Sequence, residues 1–370
     1  MIETVSFKNF KALRDLTMPL ERLTVLVGPN GSGKTSVLQG IAYLFAEEPW
    51  WLFKGERAAS LLRTQGHGGA VQMRCEGVWS GKGGAIEIWL EEAEVRDWLT
   101  VFSLAYGDVA MRPVDPEDAK SNEFFALSRQ RTALLRIDAA KVAEASYSND
   151  LVPRVASNGA GVAAVLAEMR VSRPDDFHRV EQALSAIVPY VTGLRLERAP
   201  VRVPVDEDVT IGGKTTTFAR EREYVGHRVV FEMRGAPSLQ AHLASEGTLI
   251  TLGILVAIVG SRDLRLLLID DIERAVHPRA LADLVTQLRM LLDASPDLQI
   301  VATSHSPYLI DLLDPKEVRL MIADDSGSAR WARLEDHPDY ARWREFMRPG
   351  EIWSMVGEDW VKGSAAAAHG

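Results

Sequence analysis

The sequence predicts an α/β P-loop fold, a mixed sheet with flanking helices, interrupted by a large α+β insertion. Three stretches predict it. Gly28-Pro29-Asn30-Gly31-Ser32-Gly33-Lys34-Thr35 matches G-x-x-x-x-G-K-[ST] at every position, between a strand-like and a helix-like run. Leu264 to Ile269 is an apolar strand that ends in Asp270-Asp271, and Leu298 to Thr303 is another that ends at Ser304-His305-Ser306-Pro307. Parallel strands of α/β sheets bind ligands beyond their carboxyl ends, so the three strand ends describe one site.

Taken in order, residues 2 to 7 alternate as a strand, and Leu23 to Val27 reads as a second strand, giving an edge hairpin that feeds the phosphate loop. Lys8-Asn9-Phe10-Lys11 lies between them on a bend, either as a solvated basic turn or as a nucleotide contact. In the loop, glycines turn backbone N–H groups inward onto phosphate oxygens, and the helix that begins near Ser36 adds its positive end. Its apolar positions Val37, Leu38, Ile41 and Leu44 keep helical spacing. Lys34 is then expected on the β- and γ-phosphates of a nucleotide and the Thr35 hydroxyl on Mg²⁺.

Residues 71 to 79 and 86 to 90 read as a hairpin around Ser80-Gly81-Lys82-Gly83-Gly84, which no helix follows and which is therefore not a second phosphate loop. Residues 92 to 160 carry little pattern. Helices are expected at 161–170 and 174–188, the latter opened by Pro174 with Asp175 and Asp176 beside it. Strands follow at 191–203, 215–225 and 227–234, with Gly212-Gly213 and Gly226 as turns. Ser245 is well typed as an N-cap for the apolar helix at 249–260. Asp270 suits the Mg²⁺ shell, and Glu273, His277 and Pro278 follow it before a helix marked by Leu281, Leu284, Val285 and Leu288. His305 is either a turn residue or a phosphate sensor. Trp343, Trp353 and Trp360 suggest an amphipathic closure on the core. The boundaries drawn are 1–48 and 240–340 for the nucleotide lobe, 49–239 for the insertion, 341–362 for the closing segment and 363–370 for a frayed tail.

At 370 residues, 46% apolar and 25% charged, the chain has the balance of a soluble globular protein large enough for two domains. A net charge of −9 excludes coating of nucleic acid by overall positive charge and leaves only a local or partner-mediated DNA contact. Cys75 is the single cysteine, which excludes an internal disulfide and a cysteine-based zinc site. The N-terminus lacks the layout of a signal peptide, and the apolar run at 249–260 is too short to span a bilayer. A cytoplasmic location without membrane association is expected.

The Lys-Asn-Phe-Lys turn, the Pro-Asn-Gly-Ser phosphate loop, the Ser-x-Gly helix start, the strand ending in two acids and Thr-Ser-His-Ser-Pro occur in the order that resembles ABC-type ATPases of the RecF, SMC and OLD group. More narrowly, they are similar to the stand-alone AAA-15/AAA-21 families, many of which belong to anti-phage defence operons. The resemblance covers 1–45 and 240–320 and is weak between them. It implies a head-to-tail dimer, or a higher oligomer built on it, with ATP sandwiched between chains. Pro29 to Ser36 of one chain would hold the nucleotide, with Ser245 and Gly247 of the other closing on it, Lys11 as a basic contact, and Gln65 or Gln72 as the Q-loop residue. Lys34, Asp271, Glu273 and His305 would act in hydrolysis. Such families usually carry Asp-Glu where this chain has Asp270-Asp271, and a carboxylate one methylene short implies slow turnover, or a role shared with Glu273.

No nuclease domain is recognisable, so the resemblance implies a separate effector, a nuclease being one candidate, with DNA as an open alternative. The competing readings are a nucleotide-gated scaffold with little turnover and, against the large insertion and the missing Leu-Ser-Gly-Gly-Gln, the ATPase subunit of a membrane transporter.

Overall fold

The computed structural model describes residues 1–45, 70–79, 82–91, 99–106, 109–114, 132–211, 214–261 and 263–363. The chain divides into two compact units: Met1–Leu134, Asp263–Glu273 and Leu288–Gly370 form one, Leu135–Arg262 and Arg274–Gln287 the other.

The first unit holds two six-stranded sheets. One is antiparallel and runs, edge to edge, β2 (Leu13–Pro19), β1 (Ile2–Phe10), β4 (Val71–Trp79), β5 (Lys82–Glu91), β6 (Leu99–Tyr106) and β7 (Val109–Val114). The other is mixed and runs β15 (Ala329–Ala332), β14 (Val318–Ala323), β3 (Leu23–Val27), β13 (Gln299–Ser304), β12 (Leu266–Ile269) and β8 (Thr132–Leu135). Strands β14, β3, β13 and β12 are mutually parallel, and β15 returns antiparallel. Every residue of β3, β12 and β13 is buried, the continuous pattern of strands covered on both faces. Helix α1 (Lys34–Phe45) shares one apolar core with strands of both sheets, including Phe7, Met73 and Ile88 from one and Leu26, Leu268 and Val301 from the other. Glycine is required within that helix at Gly40, because a Cβ there would stand 2.3 Å from the Phe7 ring.

The partner of β1 is therefore not the strand at 23–27, as the sequence suggested. It is β2, where the apolar alternation slips at Arg14-Asp15 and hides the strand. The strands at 71–79 and 82–91, read from sequence as part of an insertion, pair into the N-terminal sheet through β1 instead, because buried Val71, Met73 and Cys75 extend its apolar face.

Two buried polar side chains tie strand ends together. Gln299 accepts from the Ile2 amide (2.9 Å) and donates to the Ile2 and Glu21 carbonyls (2.8 and 3.0 Å). Arg319, with no exposed surface, donates twice to Pro19 O (3.0 and 2.8 Å), reaches the Lys316 and Val318 carbonyls and lies 5.6 Å from the Trp331 ring centre. Burial, followed by the charge of Arg333, lowers its pKa to about 10, which still leaves it charged at neutral pH. Replacing it with methionine keeps the volume but strands these carbonyls, and we expect a loss of about 2–4 kcal/mol in chemical denaturation, with Arg319→Lys in between.

The second unit surrounds one apolar helix, α5 (Glu246–Gly260), buried from Thr248 onward. Around it stand α2 (Ala139–Ala143), α3 (Val162–Ser172) and α4 (Pro174–Ile187). Pro174 opens α4, with Asp175 and Asp176 in its first turn, as the sequence indicates. The expected lobe boundary at 240 does not follow this division, since α5 groups with the second unit.

The strands at 191–234 are also longer than the sequence suggested. β9 (Val191–Ile211) and β10 (Lys214–Met233) form one antiparallel ribbon roughly 65 Å long at about 3.3 Å per residue. Gly226 is not a turn: it sits within β10 because a Cβ would meet Ser146 O at 2.5 Å. The expected turn at Gly212-Gly213 lies outside the described residues, as does the expected tail from residue 364 onward. Of the three late tryptophans, Trp353 is buried on α6 (Pro349–Val356), while Trp343 and Trp360 pack at 4.6 and 5.0 Å on His337. Among the described residues no helix is long and apolar enough to cross a membrane.

Candidate functional site

Because β3, β13 and β12 are adjacent and parallel, their carboxyl ends bring residues 28–35, His305 and the Asp270-Asp271 pair to one edge of the mixed sheet. Gly28, Gly31 and Gly33 all have positive φ (146°, 80° and 93°), and a Cβ on Gly28 would stand 2.0 Å from Met321 O. Only glycine fits that first turn. Pro29, Asn30 and Gly31 are exposed, Ser32 is buried and Ser36 is half-buried on the first turn of α1.

Lys34 is 5% exposed, with its Nζ donating to Gly28 O (2.8 Å), Pro29 O (2.7 Å) and Ser32 Oγ (3.3 Å). Burial lowers its pKa, and the nearby charges of Asp271, Asp270 and Glu273 oppose that shift. The ammonium group is thus held by the loop that it would serve, in a pocket of oxygen atoms that phosphate oxygens can replace.

Thr35 Oγ1 donates to Asp270 Oδ1 at 3.1 Å, and Thr303 Oγ1 donates to the same atom at 2.8 Å. A hydroxyl and a carboxylate at this separation are the hard oxygen donors that suit Mg²⁺, so the residues present fit the ion, with Thr35 and Asp270 as the ones that would hold it. Asp271 has a left-handed backbone (φ 56°), a half-exposed side chain and an amide that donates to Thr303 Oγ1 at 2.8 Å. His305 Nε2 lies 3.8 Å from Asp271 Oδ1. The His305 amide donates to Glu273 Oε1, and Glu273 Oε2 is buried without a hydrogen-bond partner among the described residues. One cation, three carboxylates, one imidazole and the hydroxyls of Ser32, Thr35 and Thr303 therefore line one edge. Thr303 is the member whose role sequence reading missed; a hydroxyl at the end of the strand beside Asp270 was the available signal.

The remaining expected residues have contacts of their own. Lys11, also at positive φ (53°), donates to Gln39 on α1 at 2.6 Å and lies over the Phe10 ring. Gln72 donates to Glu87, and Gln65 falls outside the described residues. In the second unit, Ser245 caps α5 as expected, accepting from Thr248 N at 3.2 Å. Gly247 allows the Ala275 carbonyl to approach, since a Cβ would lie 2.4 Å from that oxygen, and Glu246 pairs with Arg274 at 3.5 Å. Ser245 is exposed on the surface of its own unit.

A family model described as "AAA domain, putative AbiEii toxin, Type IV TA system" matches residues 112–311, and one described as "AAA ATPase domain" matches residues 1–93. An OLD nuclease of Thermus scotoductus (strain ATCC 700910 / SA-01) is 49% identical over 41 residues, which is 11% of this chain and only 8% of that protein. Among solved structures, an SMC head bound to the C-winged helix domain of ScpA superposes with a TM-score of 0.62 at 12% identity, over 90% of this chain and 96% of that one. The SMC head of Thermotoga maritima gives 0.50 at 15% identity over 90% and 98%. An Smc head with an extended coiled coil, bound to the C-terminal domain of ScpA derived from Pyrococcus furiosus, gives 0.56 at 10% identity over 93% and 99%. At these identities the likeness is one of fold.

Proposed function

The chain belongs to the AAA-21 family of AAA domains, and on that premise we propose that it is an ATP-hydrolysing switch whose site is completed only when two copies close around the nucleotide. The observation that carries this reading is the convergence of Lys34, Thr35, Asp270, Asp271 and His305 on one sheet edge, while the exposed start of α5 at Ser245 has the form of a phosphate-facing helix end.

In this mechanism the loop amides and Lys34 bind the triphosphate, and Thr35 and Asp270 would hold Mg²⁺, which would supply charge neutralisation at the phosphate oxygens. Asp271 orients the attacking water and accepts its proton as the bond from the γ-phosphorus to the leaving oxygen breaks. Glu273 holds the His305 backbone, and His305 senses the γ-phosphate beside Asp271. Ser245 and Gly247 of the second copy direct the positive end of α5 at the same phosphate. The two units thus act differently, the first as the nucleotide-binding lobe and the second as the source of the closing face.

Closure is then the output, because a ligand bound only between two chains favours the closed state. We propose that the closed dimer gates a separate effector, with a nuclease as the effector class, in DNA metabolism or phage defence in the cytoplasm; the toxin–antitoxin description of the family and the 41-residue similarity to an OLD nuclease support this direction. The left-handed, half-exposed Asp271 favours a second reading, in which binding switches the protein and turnover is slow. Gel filtration with ATP and Mg²⁺ tests the central step. A shift from monomer to dimer supports it, and an unchanged elution volume at saturating nucleotide contradicts it.

A further inference from the structure

The Asp270-Asp271 pair owes its arrangement to a side chain outside the pair. Thr303 is fully buried at the end of β13. Its hydroxyl gives its one proton to Asp270 Oδ1 (2.8 Å), so a lone pair remains for the Asp271 amide, which donates to it at 2.8 Å. The Thr303 carbonyl accepts the next amide, Ile272 N, at 3.1 Å. Three consecutive residues are thus pinned to one. The left-handed backbone at Asp271 is strained for a residue with a Cβ, and two amides directed at Thr303 offset the strain. Thr35 reaches the same Asp270 oxygen at 3.1 Å, so two hydroxyls restrain that carboxylate from opposite ends of the sequence.

We propose that Thr303 is a positioning residue for both acids: through its hydroxyl it orients the Asp270 carboxylate for the divalent cation and sets the backbone that aims Asp271. The proposal rests on the nucleotide-site reading above. Valine at this position would fill the same space and offer neither bond, while serine would offer both.

The test compares Thr303→Val, Thr303→Ser and Lys34→Ala, using a fluorescent ATP analogue titrated with Mg²⁺ and amide hydrogen exchange of the nucleotide-free protein. Thr303→Val is expected to raise the Mg²⁺ midpoint about tenfold, in line with the loss of a residue that supports a metal ligand. Its Asp271 and Ile272 amides should exchange faster, while Thr303→Ser stays within about threefold of the unmodified chain on both readouts. A Thr303→Val chain with an unchanged midpoint and unchanged exchange, beside a Lys34→Ala chain that has lost the analogue, overturns the role of Thr303 and leaves the nucleotide site standing. Analogue affinity that survives Lys34→Ala overturns both. Serine as impaired as valine also overturns the proposal, because a hydroxyl at this position would then not be enough to hold the two acids. Should valine not fold, Thr303→Ala carries the same comparison.

Discussion

Lys34→Ala is expected to lower ATP turnover at least about 100-fold and to remove measurable binding of a fluorescent ATP analogue. A charge-assisted contact in a desolvated phosphate site contributes about 3–4 kcal/mol, which is a factor of 10² to 10³. The site is desolvated: Lys34 is 5% exposed, and its ammonium group already rests on Gly28 O, Pro29 O and Ser32 Oγ. Those partners are an incomplete replacement for phosphate, because burial lowers the lysine pKa and only the acids nearby counter it. A triphosphate adds the negative charge that the pocket lacks. The substitution also removes the lysine's bonds to the Gly28 and Pro29 carbonyls, so a small fall in melting temperature is expected as well. The binding loss must therefore be measured well below that transition.

Asp271→Asn is expected to lower turnover by about 10²-fold or more while ATP and Mg²⁺ hold the protein as a long-lived dimer on gel filtration. Asparagine keeps the shape and the backbone preference for left-handed φ that position 271 requires (56°), so the fold should be little affected. What it removes is the proton acceptor and the negative charge 3.8 Å from His305 Nε2. Asp271→Glu sharpens the result. If the side chain is one methylene short of its water, glutamate should raise turnover above that of the unmodified chain. If turnover in the unmodified chain equals that of Lys34→Ala, the slow-switch reading replaces the hydrolytic one.

Much of the site was legible because its parts are local in sequence. The phosphate loop carries its own glycines, the acids end an apolar strand, and Ser245 precedes an apolar helix that it caps. The convergence of the phosphate loop with the acids and His305 followed from one rule about parallel strand ends. What was not legible depends on distant partners. β2 is concealed by Arg14-Asp15 and defined only by its pairing with β1, and the hairpin at 71–91 joins the N-terminal sheet through contacts about seventy residues apart, such as Phe7 opposite Met73. Gly226 carries the signal of a turn, yet its cause is the Ser146 backbone. Thr303 gave no motif of its own, since a threonine at a strand end is ordinary until its two hydrogen-bond partners are known.

The most direct test of the composite site is a mixing experiment with two inactive chains. Lys34→Ala lacks the phosphate grip and keeps the α5 face, while Ser245→Arg keeps the grip and blocks the face. Random pairing makes half of the dimers mixed, each with one intact composite site of two, so an equal mixture should recover roughly a quarter of the unmodified activity. Activity no greater than the average of the two separate variants would contradict a site shared between chains.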